Sequence, residues 1–361
     1  MILTLAIFLA IAFANVVVGV YLERKVSAFI QDRLGPMEVG HWGLLQLIAD
    51  LLKLIQKEDI TPANADRNLF KFAPIMLFMV VFAGFAVFPL SSGLSGSGTQ
   101  TGVFLLLAVV SLDILAILMA GWASNNKYSL LGAMRSVAQI ISYEVPLGLS
   151  ILCVILITQT LDLQEISFQQ GIFWDEKNYL FGIKALGVEV GEVGGFLTWN
   201  IFRNPFLLIV FVIYFIAALA ESNRAPFDLP EAESELIAGF HTEYSGFRWA
   251  VMMLSEYAMM LLVSILGVIL FLGSWNTPLP NIWVIRLADW TSGTVGEWSG
   301  NLWGAFWLLS KSYLLIFIQM WLRWTLPRLR VDQLMHLSWK ILTPFCLILL
   351  LISGVWRLLM V

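Results

Sequence analysis

The sequence predicts an all-α polytopic membrane protein: a single integral membrane domain over residues 1–361, with about eight transmembrane helices and one amphipathic helix at the interface. Three observations carry the prediction. Hydrophobic residues make up 59% of the chain and charged residues only 13%, against about 45–50% and about 25% in soluble domains. Eight apolar segments reach or approach the roughly 20 residues that span a bilayer. Lys and Arg divide unequally between alternate loops, fifteen against five, with Lys311 inside a segment. Such an imbalance orients a membrane protein with its basic loops toward the cytoplasm. Both termini then face outward. The mean hydropathy of +0.83 leaves no soluble surface to build. A net charge of −4 gives no basic field for nucleic acid.

The spans fall at about 2–22, 69–90, 102–122, 136–160, 202–220, 249–273, 302–323 and 340–358. The first contains Ala12-Phe13-Ala14, which mimics a signal-peptidase site. No basic residue precedes it, and the apolar run continues to Leu22, so it reads as a retained helix. Residues 43–57 are apolar but too short to span. At 100° per residue Gln46, Asp50, Lys53 and Lys57 share a narrow sector, with Leu44, Leu47, Ile48, Leu51 and Ile55 opposite. That pattern is an interfacial helix, either a simple membrane float or one with a further role at Asp50. Residues 91–100 form an uncharged outer turn and 161–201 a longer outer loop. No internal repeat of the transporter type is visible.

Cys153 and Cys346 lie far apart inside apolar runs, and His41, His241 and His336 are scattered. No metal or iron–sulfur site built by this chain alone is expected, and no catalytic residue set within it. Any redox carrier belongs to a partner.

Charges within spans are costly, and this chain has several. Asp113, Glu144 and Glu256, counted from the inner ends of their spans, share a depth of roughly 12–14 Å at ~1.5 Å per residue. Lys311 counts to near the midplane. Together they suggest a polar axis for protons or ions, or else buried ion pairs between helices. Pro146, two residues beyond Glu144, is expected to kink its helix, freeing a carbonyl and making room for water. The loop at 221–247 mixes Glu221, Asp228, Glu231, Glu233, Glu235 and Glu243 with Arg224 and with Phe227, Leu229, Leu236, Ile237 and Phe240. It reads as a packed segment of mutually coupled carboxylates or as an acidic docking surface. At the exit of the first helix, Glu23, Arg24 and Lys25 lead to Asp32 and Arg33 in a structured turn before Gly35-Pro36.

The strings YLERKVSAFIQDRLGP, GLLQLIADLLKLIQKEDITP, SNNKYSLLGAMRSVAQIISYEVP and AESNRAPFDLPEAESELIAGFHTEYSGFRWA occur in this order. Together they resemble the family of membrane H subunits of bacterial respiratory complex I, whose mitochondrial counterpart is chain 1 of NADH-ubiquinone oxidoreductase. The resemblance covers essentially the whole chain. It implies a bacterial inner-membrane subunit of a proton-translocating NADH:quinone oxidoreductase, with quinone as substrate. NAD, FMN and iron–sulfur clusters would belong to partner subunits. Those partners include a soluble subunit carrying the terminal cluster and antiporter-like membrane subunits. The resemblance implies that Glu23, Arg24, Arg33 and Asp50 lie on or near the quinone path, and we assign Arg224 and Phe227 to it as well. Glu221, Asp228, Glu231, Glu233, Glu235 and Glu144 would couple quinone chemistry to proton movement. Asp113, Glu256 and Lys311 join that set on depth alone. The competing readings are a membrane subunit of a proton-translocating hydrogenase and a stand-alone cation transporter.

Overall fold

The computed structural model describes residues 2–174, 178–183, 189–191, 193–229, 238–282 and 285–360. Among them, seven helices are long and apolar enough to cross a membrane: Leu3–Ile30, Arg67–Phe85, Gly102–Ala123, Lys127–Thr158, Gly246–Phe271, Trp298–Thr325 and Val331–Leu359. The segment expected at 202–220 forms a shorter apolar helix, Leu207–Glu221. The chain is thus a multi-pass helical membrane protein; among the described residues the β-structure is a two-residue antiparallel pairing of Asn281–Ile282 with Ile285–Arg286 and an isolated bridge between Tyr179 and Glu189.

Alternate connections gather at opposite ends of the bundle. At the basic end, Arg248 pairs with Asp59 at 2.6 Å, and the Asn126 amide donates to Glu243 at 2.6 Å. At the other end the Ser91 hydroxyl meets Asn301, and the Gln170 amide donates to the Ile269 carbonyl at 2.8 Å. Asp66 caps the N-terminus of Arg67–Phe85 by accepting from the backbone amides of Asn68 and Leu69, groups a helix start leaves unsatisfied.

Helix Gly246–Phe271 is the axis of the bundle. It is buried without interruption from Tyr257 to Phe271, as expected of a helix that is apolar on every side. The first helix, Arg67–Phe85, Leu207–Glu221 and Trp298–Thr325 pack around it.

Three features depart from the sequence reading. The apolar run at 102–122 is not one continuous helix: Gly102–Val110 and Asp113–Ala123 are separated at Ser111 and Leu112. Helix Lys127–Thr158 continues through Pro146. The carbonyl freed by the missing proline N–H is that of Ser142. It accepts instead from the Ser338 hydroxyl at 2.5 Å, so a neighbouring helix fills the role given to water. Ser338 lies in a π-helical stretch, Leu337–Leu342, between the α-helical segments Val331–His336 and Thr343–Met360. Lys311 is not in the carboxylate layer. Its ammonium donates to the carbonyls of Leu272 and Asn276 at 2.8 and 2.9 Å, beyond the end of the axial helix, and lies 4.8 Å from the centre of the Trp199 ring. Lys311 therefore caps a helix C-terminus, where a cation is favoured.

Candidate functional site

A cavity of about 820 Å³ opens among the first helix, the amphipathic helix Gln46–Gln56, helix Arg67–Phe85, the axial helix and helix Trp298–Thr325. Helical periodicity supplies its walls. Phe13, Val16, Val20, Glu23 and Ser27 form one stripe of the first helix, and Phe247, Ala250, Leu254 and Tyr257 one stripe of the axial helix. Leu47, Leu51 and Leu54 contribute from the amphipathic helix, alongside Asp50. The walls are apolar, and the charges collect at one side.

Two clusters make up that charged side. At the junction of the first and amphipathic helices, the Arg24 guanidinium pairs with Asp50 at 2.7 Å, and Gln46 donates to the other Asp50 oxygen at 3.1 Å. Both members are partly exposed, at 45% and 30%. Deeper in, buried Glu23 is a shared acceptor. Tyr257 donates its hydroxyl to it at 2.5 Å, Arg224 approaches at 3.5 Å, and Arg323 donates as well. The Arg224 guanidinium also lies 4.1 Å from the centre of the Tyr257 ring. Gln139 holds the turn that presents Arg224, donating to the carbonyls of Ala220 and Phe227 at 2.7 Å each.

The structure thus brings Glu23, Arg24, Arg33, Asp50 and Arg224 to one cavity. Phe227 is not among its lining. It is buried behind the wall, edge-on to Tyr143 with ring centroids 5.3 Å apart, because its carbonyl is tied to Gln139 and its ring completes the core. Tyr257, Arg323 and Trp324 line the chamber although the sequence reading did not single them out.

On the other side of the axial helix, Asp113, Glu221 and Glu256 line a narrow space of about 10 Å³ with Ser255 and Asn223. That is room for about one water. Asp113 Oδ1 and Glu221 Oε2 are buried with no hydrogen-bond partner among the described residues. Glu256 faces His241 Nε2 at 3.0 Å. Glu144 acts electrostatically on Glu221 and accepts from the Ser111 hydroxyl, at the break in the 102–123 span. Ser111 thus meets Glu144 at the junction of the two helical segments, and Asp113 starts the second. Asp228 is not among the lining of that space; its backbone carbonyl accepts from Arg328. Glu231, Glu233 and Glu235 lie outside the described residues. Among the described residues no group of three or more His, Cys, Asp or Glu is arranged to hold a metal.

Adjacent residues of one helix divide the two regions. Tyr257 faces the chamber and Glu256 the acidic space, since consecutive helical side chains diverge by about 100°.

Comparison with known proteins matches a family model described as NADH dehydrogenase over residues 2–354. The NADH-quinone oxidoreductase H subunit 2 of Cytophaga hutchinsonii is 62% identical over 341 residues, covering 93% of each chain. The H subunit of the Chlorobium luteolum enzyme is 51% identical over 94% of this chain and 84% of its own. Its counterpart in Chlorobaculum parvum is also 51% identical, over 94% and 87%. A match across nearly the whole chain, to relatives of similar length, makes this protein a member of the NADH dehydrogenase family, as the complex I membrane H subunit of NADH-quinone oxidoreductase.

Proposed function

We propose that the 820 Å³ chamber receives the quinone, and that the carboxylates behind the axial helix couple its reduction to proton translocation. The observation that carries this is one apolar cavity ending in the Glu23–Arg224–Arg323–Tyr257 cluster. Apolar walls suit an isoprenoid tail. Guanidinium and phenol donors suit the head-group carbonyls, and more so any negative charge that develops on them. Electrons would arrive from the terminal cluster of a soluble partner docked at the basic end. NAD, FMN and iron–sulfur clusters would stay in such partners, and antiporter-like membrane subunits would carry protons onward. The basic end would face the cytoplasm of a bacterial inner membrane, with both termini outside.

Quinone reduction consumes two electrons and two protons. Negative charge that develops beside Arg224 and Arg323 changes the field at Glu256, on which both guanidiniums act. Glu256, Asp113, Glu221 and Glu144 then offer successive proton acceptors around a water-sized space. The unpartnered oxygens of Asp113 and Glu221 support this reading over one of fixed ion pairs. The named relatives favour it over the hydrogenase and transporter alternatives.

Asp50→Asn tests the chamber. The substitution keeps size and removes the charge that holds Arg24 across the mouth. For a partly exposed pair worth ~0.2–1 kcal/mol, quinone KM is expected to rise about 1.4- to 5-fold, with Gln46→Ala closer to wild type. Both variants at wild-type KM and kcat would reduce the amphipathic helix to a float.

A further inference from the structure

We propose that His241 is the proton-holding and positioning partner of Glu256, its tautomer fixed by Met252, so that the pair stores one transferable proton between the chamber wall and the acidic space. The proposal rests on the reading above, in which Glu256 belongs to the coupling route.

His241 ends the short turn Gly239–His241 and is 3% exposed. Its ring packs on Phe240, with ring centroids 3.8 Å apart. Nδ1 lies 3.4 Å from the sulfur of Met252, and Nε2 lies 3.0 Å from Oε1 of Glu256. Met252 and Glu256 are four residues apart on the axial helix, so one imidazole bridges a single helical turn.

The chemistry of the two contacts fixes the protonation pattern. A thioether has no proton to give and accepts only weakly. Nδ1 must therefore carry the hydrogen of its contact. Nε2 then meets Glu256 in one of two ways. A charged imidazolium donates Nε2–H to the carboxylate, or a neutral imidazole accepts from a protonated Glu256. Each way places one proton on the 3.0 Å line and leaves both ring nitrogens with a matched contact. The remaining neutral tautomer would set the Nδ1 lone pair against sulfur. Transfer breaks the Nε2–H bond and forms Oε1–H, converting an ion pair into a neutral pair. No other reactant is needed, and the ring does not turn.

The groups facing the pair make that proton responsive. Asp113 approaches from its helix start, Glu221 from the end of Leu207–Glu221, and Glu144 through Ser111. Arg224 and Arg323 act on Glu256 from the chamber side, where they also hold Glu23, and Tyr257 joins Glu23 to the axial helix. An anionic quinone beside those guanidiniums cancels part of their field at Glu256. The proton then passes from His241 to Glu256, next to the acidic space.

The test uses the assembled complex in native membranes. His241→Gln still donates a hydrogen bond to Glu256 but carries no transferable proton. We expect normal complex abundance on native gels and normal NADH oxidation by a hydrophilic acceptor that bypasses quinone. Quinone-linked proton translocation should fall about tenfold or more, and one limb of its pH–rate profile should be lost. Met252→Leu keeps the volume and removes the sulfur acceptor, so it should move that limb with a smaller loss of rate. Wild-type translocation and pH profile in an assembled His241→Gln complex overturn the proposal. If His241→Gln fails to assemble, the Met252→Leu profile decides, and an unmoved limb overturns it. Glu256→Gln separates the two levels of argument. Normal translocation there sinks the coupling reading itself, whereas loss there beside a normal His241→Gln removes only the histidine.

Discussion

Replacing Glu23 with Gln leaves its volume unchanged and removes a negative charge held between Arg224 and Arg323. The side chains of Glu23 and Arg224 are each only 9% exposed, so their pair is broken in a low-dielectric wall. Removing one partner of a buried pair costs about 3–5 kcal/mol. Two features favour the lower end. The amide oxygen still accepts from Tyr257, and Arg323, at 23% exposure, can turn toward water in the chamber. About 3 kcal/mol corresponds to roughly 150-fold in the occupancy of the native arrangement. Quinone-linked kcat/KM should fall by up to that factor, and thermal inactivation of the solubilised complex should come earlier. The assay is a double-mutant cycle of Glu23→Gln and Arg224→Gln, read in kcat/KM. Contacting residues should show a coupling of about 1–3 kcal/mol, with the double variant less impaired than the product of the singles. Effects that multiply to within about 0.5 kcal/mol would falsify the pairing and, with it, the view that Glu23 sets the charge balance of the chamber.

Two further substitutions probe the regions behind the chamber. Glu144→Gln should assemble normally, because the Ser111 hydroxyl can donate to an amide oxygen as well as to a carboxylate. It should depress quinone-linked proton translocation, and Glu144→Asp should restore part of it; normal abundance with undiminished pumping removes this residue from the route. Ser338→Ala orphans the Ser142 carbonyl beneath Pro146, a loss of about 1–3 kcal/mol. The complex should inactivate faster on heating while keeping its turnover at lower temperature, and unchanged heat stability would show that the carbonyl has found another donor.

The spans were legible because lipid demands length and apolarity, both of which composition records. The break at Ser111–Leu112 was not, since it lies in an unbroken apolar run. Residues of the chamber were visible where a charge stood out, as at Glu23 and Asp50. Arg323 counted only as one of the basic residues of the loops, and Tyr257 was hidden among apolar neighbours. Lys311 shows why depth counted along one helix misleads. Glu23 touches both Arg323, near the end of its helix, and Tyr257, eleven residues inside the other. The two helix ends are therefore offset by about nine residues, roughly 13 Å. A count from Arg323 and a count from Arg248 start at different heights, so Lys311 meets the C-terminal end of the axial helix instead of Glu256. His241 carried no local signal, because its partners come from the following helix.

That Glu256 and Tyr257 are consecutive on the axial helix bears on how such a protein can change through evolution. A substitution at either position alters one set of surroundings only, since each side chain lines its own space. Length is another matter. One codon gained or lost between Gly246 and Glu256, absorbed as helix, would rotate both side chains by about 100° about the helix axis. The phenol would leave Glu23 and the carboxylate would leave His241 in the same event. A change of length in that stretch is therefore expected to cost both contacts at once, where a substitution costs one.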